Sequence, residues 1–323
     1  MFDGHTTSEQ VIEAFKPEIK GKTIVIIGAG YPSIGSQMAT YLAQGSPSHI
    51  VLVSRTASKI EPVLKTIAET DSTIETTFVQ LDTTDHSAIR SEAPKILAAA
   101  PKIDILVHSA GAMATKEYTL DKQGIEFQLS ANHVGSFLLI NLLMPALLAG
   151  GKARFVNLTS SGYRLSPFRF DDWNYSGGKE YEPWTAYGRA KTANILFTYG
   201  IGARLKNRGL EATVVHPGYN GDTKLGEHLT WDDYGQIDQI FLRNRGFEWA
   251  WEEPRFKTFS QISGYVIPAT PLIAALDPEL RDKSPAYLQN SQVHEVEAHA
   301  TNPEYVDRLW KLSEELVGQK FDY

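Results

Sequence analysis

The chain has 323 residues, 42% of them hydrophobic and 21% charged, with a net charge of −7 and no cysteine. That size and apolar share suit one large α/β domain or two smaller ones. The acidic balance argues against broad nucleic-acid binding, and the missing cysteines exclude disulfides, thiolate catalysis and Cys-ligated zinc.

The N-terminal MFDGHTTSEQVIEAFKPEIKGK carries acids and no apolar run, so it does not read as a signal peptide. From there, short β-branched runs alternate with helical stretches. Six strands are predicted at TIVIIG (23–28), HIVLVS (49–54), ETTFVQL (75–81), IDILVHS (103–109), ARFVNLTS (153–160) and EATVVHPG (211–218). Most are nearly continuous apolar runs, as expected of parallel strands buried on both faces. Helices are predicted over 34–44, 57–69, 84–99, 122–149 and 185–208. A seventh strand fits AYLQN (286–290), and a last helix fits PEYVDRLWKLSEELVGQ. The pattern predicts one doubly wound, Rossmann-type parallel sheet with helices on both faces. FLLINLLMPALLA (137–149) is broken by Asn141 and Pro145 and too short to span a bilayer, so it reads as a buried helix. Residues 219–265, rich in aromatics, follow strand six on the carboxyl side of the sheet, where ligands bind in open α/β folds. They fit either a substrate lid or a peripheral subdomain with its own small core.

The stretch GAGYPSIGS sits between a buried strand and an amphipathic helix. It fits neither common glycine spacing: Ser33 takes one glycine position, and Gly35 closes the loop late. Gly28, Gly30, Ser33, Ile34 and Gly35 are its candidate cofactor residues, with a pyrophosphate expected at the helix N-terminus. The following strand ends VSRTASK, and no Asp or Glu occurs between Lys20 and Ile60. A 2′-hydroxyl site would use an acid there. Arg55 instead offers a forked guanidinium to a 2′-phosphate, with Ser54 as a donor and Lys59 as a weaker candidate. The expected cofactor is NADP(H).

AYGRAK (186–191) places Tyr187 and Lys191 four residues apart on one helical face. A cation beside a phenol favours its ionised form, which suits a general acid–base. With GAGYPSIGSQMA, LDTTD, KIDILVHSAGAMA, LSANHVGSFLLINLLMP, ARFVNLTSSGYRLSP and VVHPG, the chain resembles the short-chain dehydrogenase/reductase family. The likeness is strongest to its retinol dehydrogenase-like branch, fungal members in particular. The resemblance implies a catalytic set of Asn132, Ser160, Tyr187 and Lys191, with Ser161 as the alternative serine. Ser160 would bind the carbonyl oxygen, Tyr187 would exchange its proton, Lys191 would hold the nicotinamide ribose, and Asn132 would support a proton relay. It further implies Asp82 at the adenine, Ala110 and Gly111 beside the nicotinamide, Pro217 and Gly218 opposite them, and Thr223 as a carboxamide contact.

Three features depart from the family pattern. HSAG (108–111) replaces its N-N-A-G, the threonine of PGYNGDT falls one residue late, and the interval from Ser160 to Tyr187 is long. The expected activity is hydride transfer between NADP(H) and a small apolar or aromatic ketone, aldehyde or alcohol. A cyclisation, dehydration or isomerisation beside bound NADP is the alternative. A non-catalytic NADP-binding protein would not need all four residues. The paired acids Asp171-Asp172 and Asp232-Asp233 read as solvated turns, and the His294 to His299 spacing is poor for a metal site. No membrane span is expected, and a cytoplasmic location follows. The helices at 122–149 and 185–208 could form a two-fold interface, with a monomer equally open.

Overall fold

A computed structural model describes residues 2–218, 223–249 and 268–323. Its centre is an eight-stranded sheet: β1 Thr23–Ile27, β2 His49–Ser54, β3 Glu75–Gln80, β4 Ile105–His108, β5 Ala153–Leu158, β6 Leu210–Val215, β7 Ala286–Gln289 and β8 Gln292–His294. The order is β3-β2-β1-β4-β5-β6-β7-β8. All neighbours pair in parallel except the short β7–β8 hairpin, which the sequence reading did not foresee. The prediction for β2 matches the observed strand, while the other predicted strands ran one to three residues beyond the observed ends, several into the loops that follow them.

The apolar runs divide by a period of two. Val25 and Ile27 join the core under the long helices Phe127–Leu148 and Pro183–Leu205. Ile24 and Ile26 join the opposite core, under Ser8–Ile19, Ile34–Ala43 and Ala269–Leu276. The central strands therefore bury both faces, which is why they lack polar alternation, whereas edge strand β3 is half-exposed and edge strand β8 exposed. The Ser8–Ile19 helix was not predicted. Its signal is the Thr7–Gln10 capping box, in which each side chain bonds the other's backbone amide.

The helix predicted over 122–149 starts at Phe127 instead. Asp121 accepts the amides of Gln123 and Ile125, and Gly124 takes φ +78°, so the first residues close a turn. Glu126 then caps the helix with both carboxylate oxygens, on Gln128 N and Leu129 N at 2.8 Å. By length and composition this helix could cross a membrane, but 83% of its apolar window is buried inside the fold. It opens with a wide π turn at Ser130–Val134 before resuming α geometry at Gly135.

Candidate active site

The sheet reverses direction between β1 and β4, and a crevice opens outside their carboxyl ends. Gly28 leaves β1 with φ +89°. A Cβ there would lie 2.4 Å from Ala110 N, so only glycine lets the two loops meet. A Cβ on Gly35 would lie 2.5 Å from Gly28 O, and one on Gly30 would lie 2.7 Å from Ser54 Oγ and 3.4 Å from Lys59 Cβ. The loop is thus packed too closely against its neighbours to admit a side chain at these three positions.

Ser33, a candidate cofactor residue, is engaged within the loop itself. Its Oγ donates to Gly28 O and accepts Ser36 N, both at 3.0 Å. Ser36 Oγ in turn accepts Ser33 N. The serine closes the longer loop on itself and caps the Ile34–Ala43 helix. Ile34 and Gly35 supply the remaining first-turn amides. The added residue Tyr31 is held by its amide on Lys59 O at 2.8 Å, while its ring stays exposed.

Gly30, Ser54, Arg55 and Lys59 converge on one edge of the crevice. Arg55 faces Asp82 at 4.0 Å, and both side chains are largely exposed. Asp82 also turns its own loop by accepting Thr84 N and Thr84 Oγ1.

On the far side, Glu182 caps the Pro183–Leu205 helix through Trp184 N and Thr185 N. That helix carries Tyr187 and Lys191, both almost fully buried, with Lys191 Nζ 5.6 Å from the Tyr187 ring centre. Burial alone pushes the Lys191 ammonium down to about 7. Ser160 begins the turn after β5, and its Oγ accepts Gly162 N at 3.0 Å. A Cβ on Gly162 would meet Tyr187 Cε1 at 2.9 Å and Ser160 Oγ at 3.3 Å, so this glycine lets the serine and the phenol share one wall.

Asn132 lies in the π turn, fully buried, and donates to Gln128 O and Ala112 O. A Cβ on Gly111 would lie 2.4 Å from Asn132 Oδ1 and 3.5 Å from Lys191 Nζ. Bare Gly111 keeps those two groups apart from each other but facing one gap. Pro217 and Gly218 (φ +90°) leave β6 above the same end of the sheet. Thr223 starts the Lys224–Gly226 turn, and Gly226 in turn lies against Met113.

The residues from 22 to 233 match the family model described as short chain dehydrogenase. The chain belongs to the short-chain dehydrogenase family. It is an oxidoreductase of that family, whose members take a nicotinamide cofactor. It is 33% identical to retinol dehydrogenase 12 of Mus musculus, over 94% of this chain and 89% of that protein. It is 30% identical to oxidoreductase fscI of Fusarium equiseti, over 68% of this chain and 95% of that one. Among solved structures, an uncharacterised protein from Mycobacterium Paratuberculosis superposes with a TM-score of 0.67 at 25% identity, covering 94% and 96% of the two chains.

The family departure at HSAG now has a structural account. His108 Nδ1 meets Asn157 Oδ1 at 2.8 Å, and Asn157 Nδ2 donates to Asn194 O and Thr198 Oγ1. His108 is fully buried and held down to about 4, chiefly by desolvation. His133, bonded to Ser313, is held down to about 3 for the same reason. Both stay neutral in the fold but protonate near 6.5 when unfolded, so their stabilisation is present above pH 6.5 and lost as pH falls. Glu126, pushed up to about 7 by burial, acts in the opposite sense between pH 4.5 and 7. His108→Asn should therefore remove about 2 kcal/mol of the stability loss between pH 7 and pH 5. Urea unfolding of both proteins at the two pH values checks this, and identical slopes would refute it.

The described part of the aromatic segment, residues 223–249, packs on the Tyr187 side. Ala114, Leu165, Trp184, Tyr187, Ile240 and Phe241 form one buried cluster. Trp184 packs edge-on at 6.0 Å from Tyr187, lies 5.3 Å from Tyr234, and donates Nε1 to Asp233 O at 2.9 Å. Of the aromatics expected there, Trp251, Phe256 and Phe259 lie outside the described residues. The acids read as turns have structural work: Asp233 caps its helix through Thr230, and Asp171 faces Arg308. Trp184 and the glycines at 135 and 162 were not singled out as contact-makers by sequence reasoning.

Proposed function

We propose that this chain is an NADP(H)-dependent oxidoreductase interconverting a carbonyl and an alcohol, with Tyr187 as general acid–base. The observation that carries the reading is the buried Tyr187–Lys191 pair on one helical face, with Ser160 across Gly162. The relatedness to retinol dehydrogenase 12 supports the alcohol–carbonyl direction. The first-turn amides of the Ile34–Ala43 helix fit a dinucleotide pyrophosphate, and bare Gly28 and Gly35 let the loop pack tightly enough to present them.

Bound NADP(H) would supply or accept the hydride. Ser160 Oγ–H orients the substrate oxygen, and Tyr187 gives it a proton or removes one. Lys191, within reach of the phenol's ring, stabilises tyrosinate electrostatically and offers N–H donors to the ribose. The Trp184–Phe241 cluster keeps water from the reacting carbon and favours an apolar or aromatic substrate. Oxidation of NADPH on a panel of ketones and aldehydes, followed by loss of reduced-nicotinamide absorbance, tests the reading. No turnover despite tight NADPH binding would reject it.

Arg55 sets the cofactor choice in this reading. Its partner Asp82 is exposed and 4.0 Å away, a weak pairing that a 2′-phosphate can displace. Arg55→Ala should weaken NADPH binding by roughly 10- to 100-fold, the worth of one charge-assisted contact, and NADH binding by no more than about threefold. Fluorescence titration with both cofactors measures this; equal losses would contradict the assignment.

A further inference from the structure

We propose that Asn194 is a positioning residue for Lys191, setting how far the ammonium can reach toward its cofactor and phenol partners. The proposal rests on the role given to Lys191 above. Asn194 is fully buried and lies three residues on from Lys191, on the same helical face. Both side chains converge on one atom, the carbonyl oxygen of Leu158 at the end of β5. Asn194 Nδ2 donates to it at 3.0 Å, while Lys191 Nζ stands off at 3.4 Å. The first is a normal hydrogen bond and the second is long.

The carboxamide orientation is settled by its partner, since a carbonyl only accepts. Asn194 Oδ1 is therefore the free end, buried and with no hydrogen-bond partner among the described residues. The Asn194 backbone is pinned as well. Its carbonyl accepts Asn157 Nδ2 at 3.1 Å and Thr198 Oγ1 at 2.8 Å, and Asn157 is itself held by His108. The amide is thus a fixed spacer. It takes one lone pair of Leu158 O and keeps the neighbouring ammonium from closing fully on that oxygen.

Lys191 needs such a spacer because its surroundings are poor in partners. The titratable groups near it are Tyr187 on its own helix and His108 from β4, and no carboxylate pairs with it among the described residues. Without Asn194, the ammonium would settle on the vacant carbonyl and withdraw from the crevice. With an aspartate there, it would gain a counter-ion and keep its proton to higher pH.

Asn194→Leu and Asn194→Asp separate these effects, with thermal melts confirming folding of each. The pH profile of kcat/KM and the pH dependence of NADPH affinity are the readouts. Asn194→Leu should lower kcat by about 10- to 100-fold with a smaller change in KM. Asn194→Asp should move the limb due to Lys191 upward by about one pH unit or more. Asn194→Ser, which keeps a donor, should recover part of the kcat lost in Asn194→Leu. Profiles superimposable on the parent enzyme in both the Asp and Leu variants would overturn the proposal, whatever happens to the melting temperature. Lys191→Met separates the two readings: if that variant retains the limb, the assignment of Lys191 fails, and the spacer role fails with it.

Discussion

Tyr187→Phe should lower kcat by about a thousandfold while leaving NADPH affinity within about twofold. The substitution removes one oxygen and nothing else. The ring that packs on Trp184 and against the Gly162 backbone is retained, so the wall of the pocket should survive. What is lost is the exchangeable proton. No other hydroxyl in the described site combines burial with a neighbouring cation: Ser160 Oγ accepts from Gly162 N and has no lysine beside it. Lys191 itself is poised near neutrality by desolvation, which makes the tyrosinate its natural counter-charge. Steady-state kinetics and cofactor titration on the same preparation give both numbers. Unchanged turnover would sink the acid–base assignment, and a parallel collapse of cofactor binding would assign the residue to the fold.

Gly135→Ala should destabilise the protein by at least about 3 kcal/mol, or prevent folding. Helix propensity points the other way, since alanine is favoured over glycine by about 1 kcal/mol in a helix interior. Packing decides the sign. A Cβ at position 135 would lie 1.6 Å from Thr83 O and 2.8 Å from Thr83 C, both backbone atoms that cannot swing aside. The helix would have to move off the loop that carries Asp82, and the π turn with Asn132 would move with it. Thermal or urea denaturation measures the effect. A gain in stability would mean that this contact relaxes at no cost.

These two residues mark where sequence reading succeeds and where it stops. The placement of Tyr187 beside Lys191 was legible because it is written locally, in a spacing of four on a helix between two buried strands. Most of the seven parallel strands were legible for a similar reason, as those inside the sheet are buried on both faces and show it in composition, while edge strand β3 is half-exposed. Gly135 was not, because nothing near it in sequence reveals that Thr83 O stands opposite. His108 looked only like a departure from pattern until Asn157, forty-nine positions later, appeared as its partner. Ser33 was read as a candidate cofactor residue because hydroxyls near helix starts can serve either ligand or cap. The capping box with Ser36 depends on a side-chain geometry that spacing alone does not fix. The helix start at Phe127 was missed because Asp121 takes the amides of Gln123 and Ile125 into a turn, and Glu126 then caps the helix after it.

The π turn at Ser130–Val134 has a consequence for how this helix can change over time. One additional residue per turn rotates everything downstream by about 100° relative to an uninterrupted α-helix. Upstream, Gln128 is bonded to Pro183 O, and within the turn Asn132 is bonded to Ala112 O; downstream, Phe137, Leu138, Leu139 and Ile140 are all buried in the core. A single-residue deletion there would restore regular winding yet turn one of these two faces away from its partner. A change of length in this helix would therefore displace one set of contacts or the other. Its reading frame in space, like that of a message, is fixed from both ends.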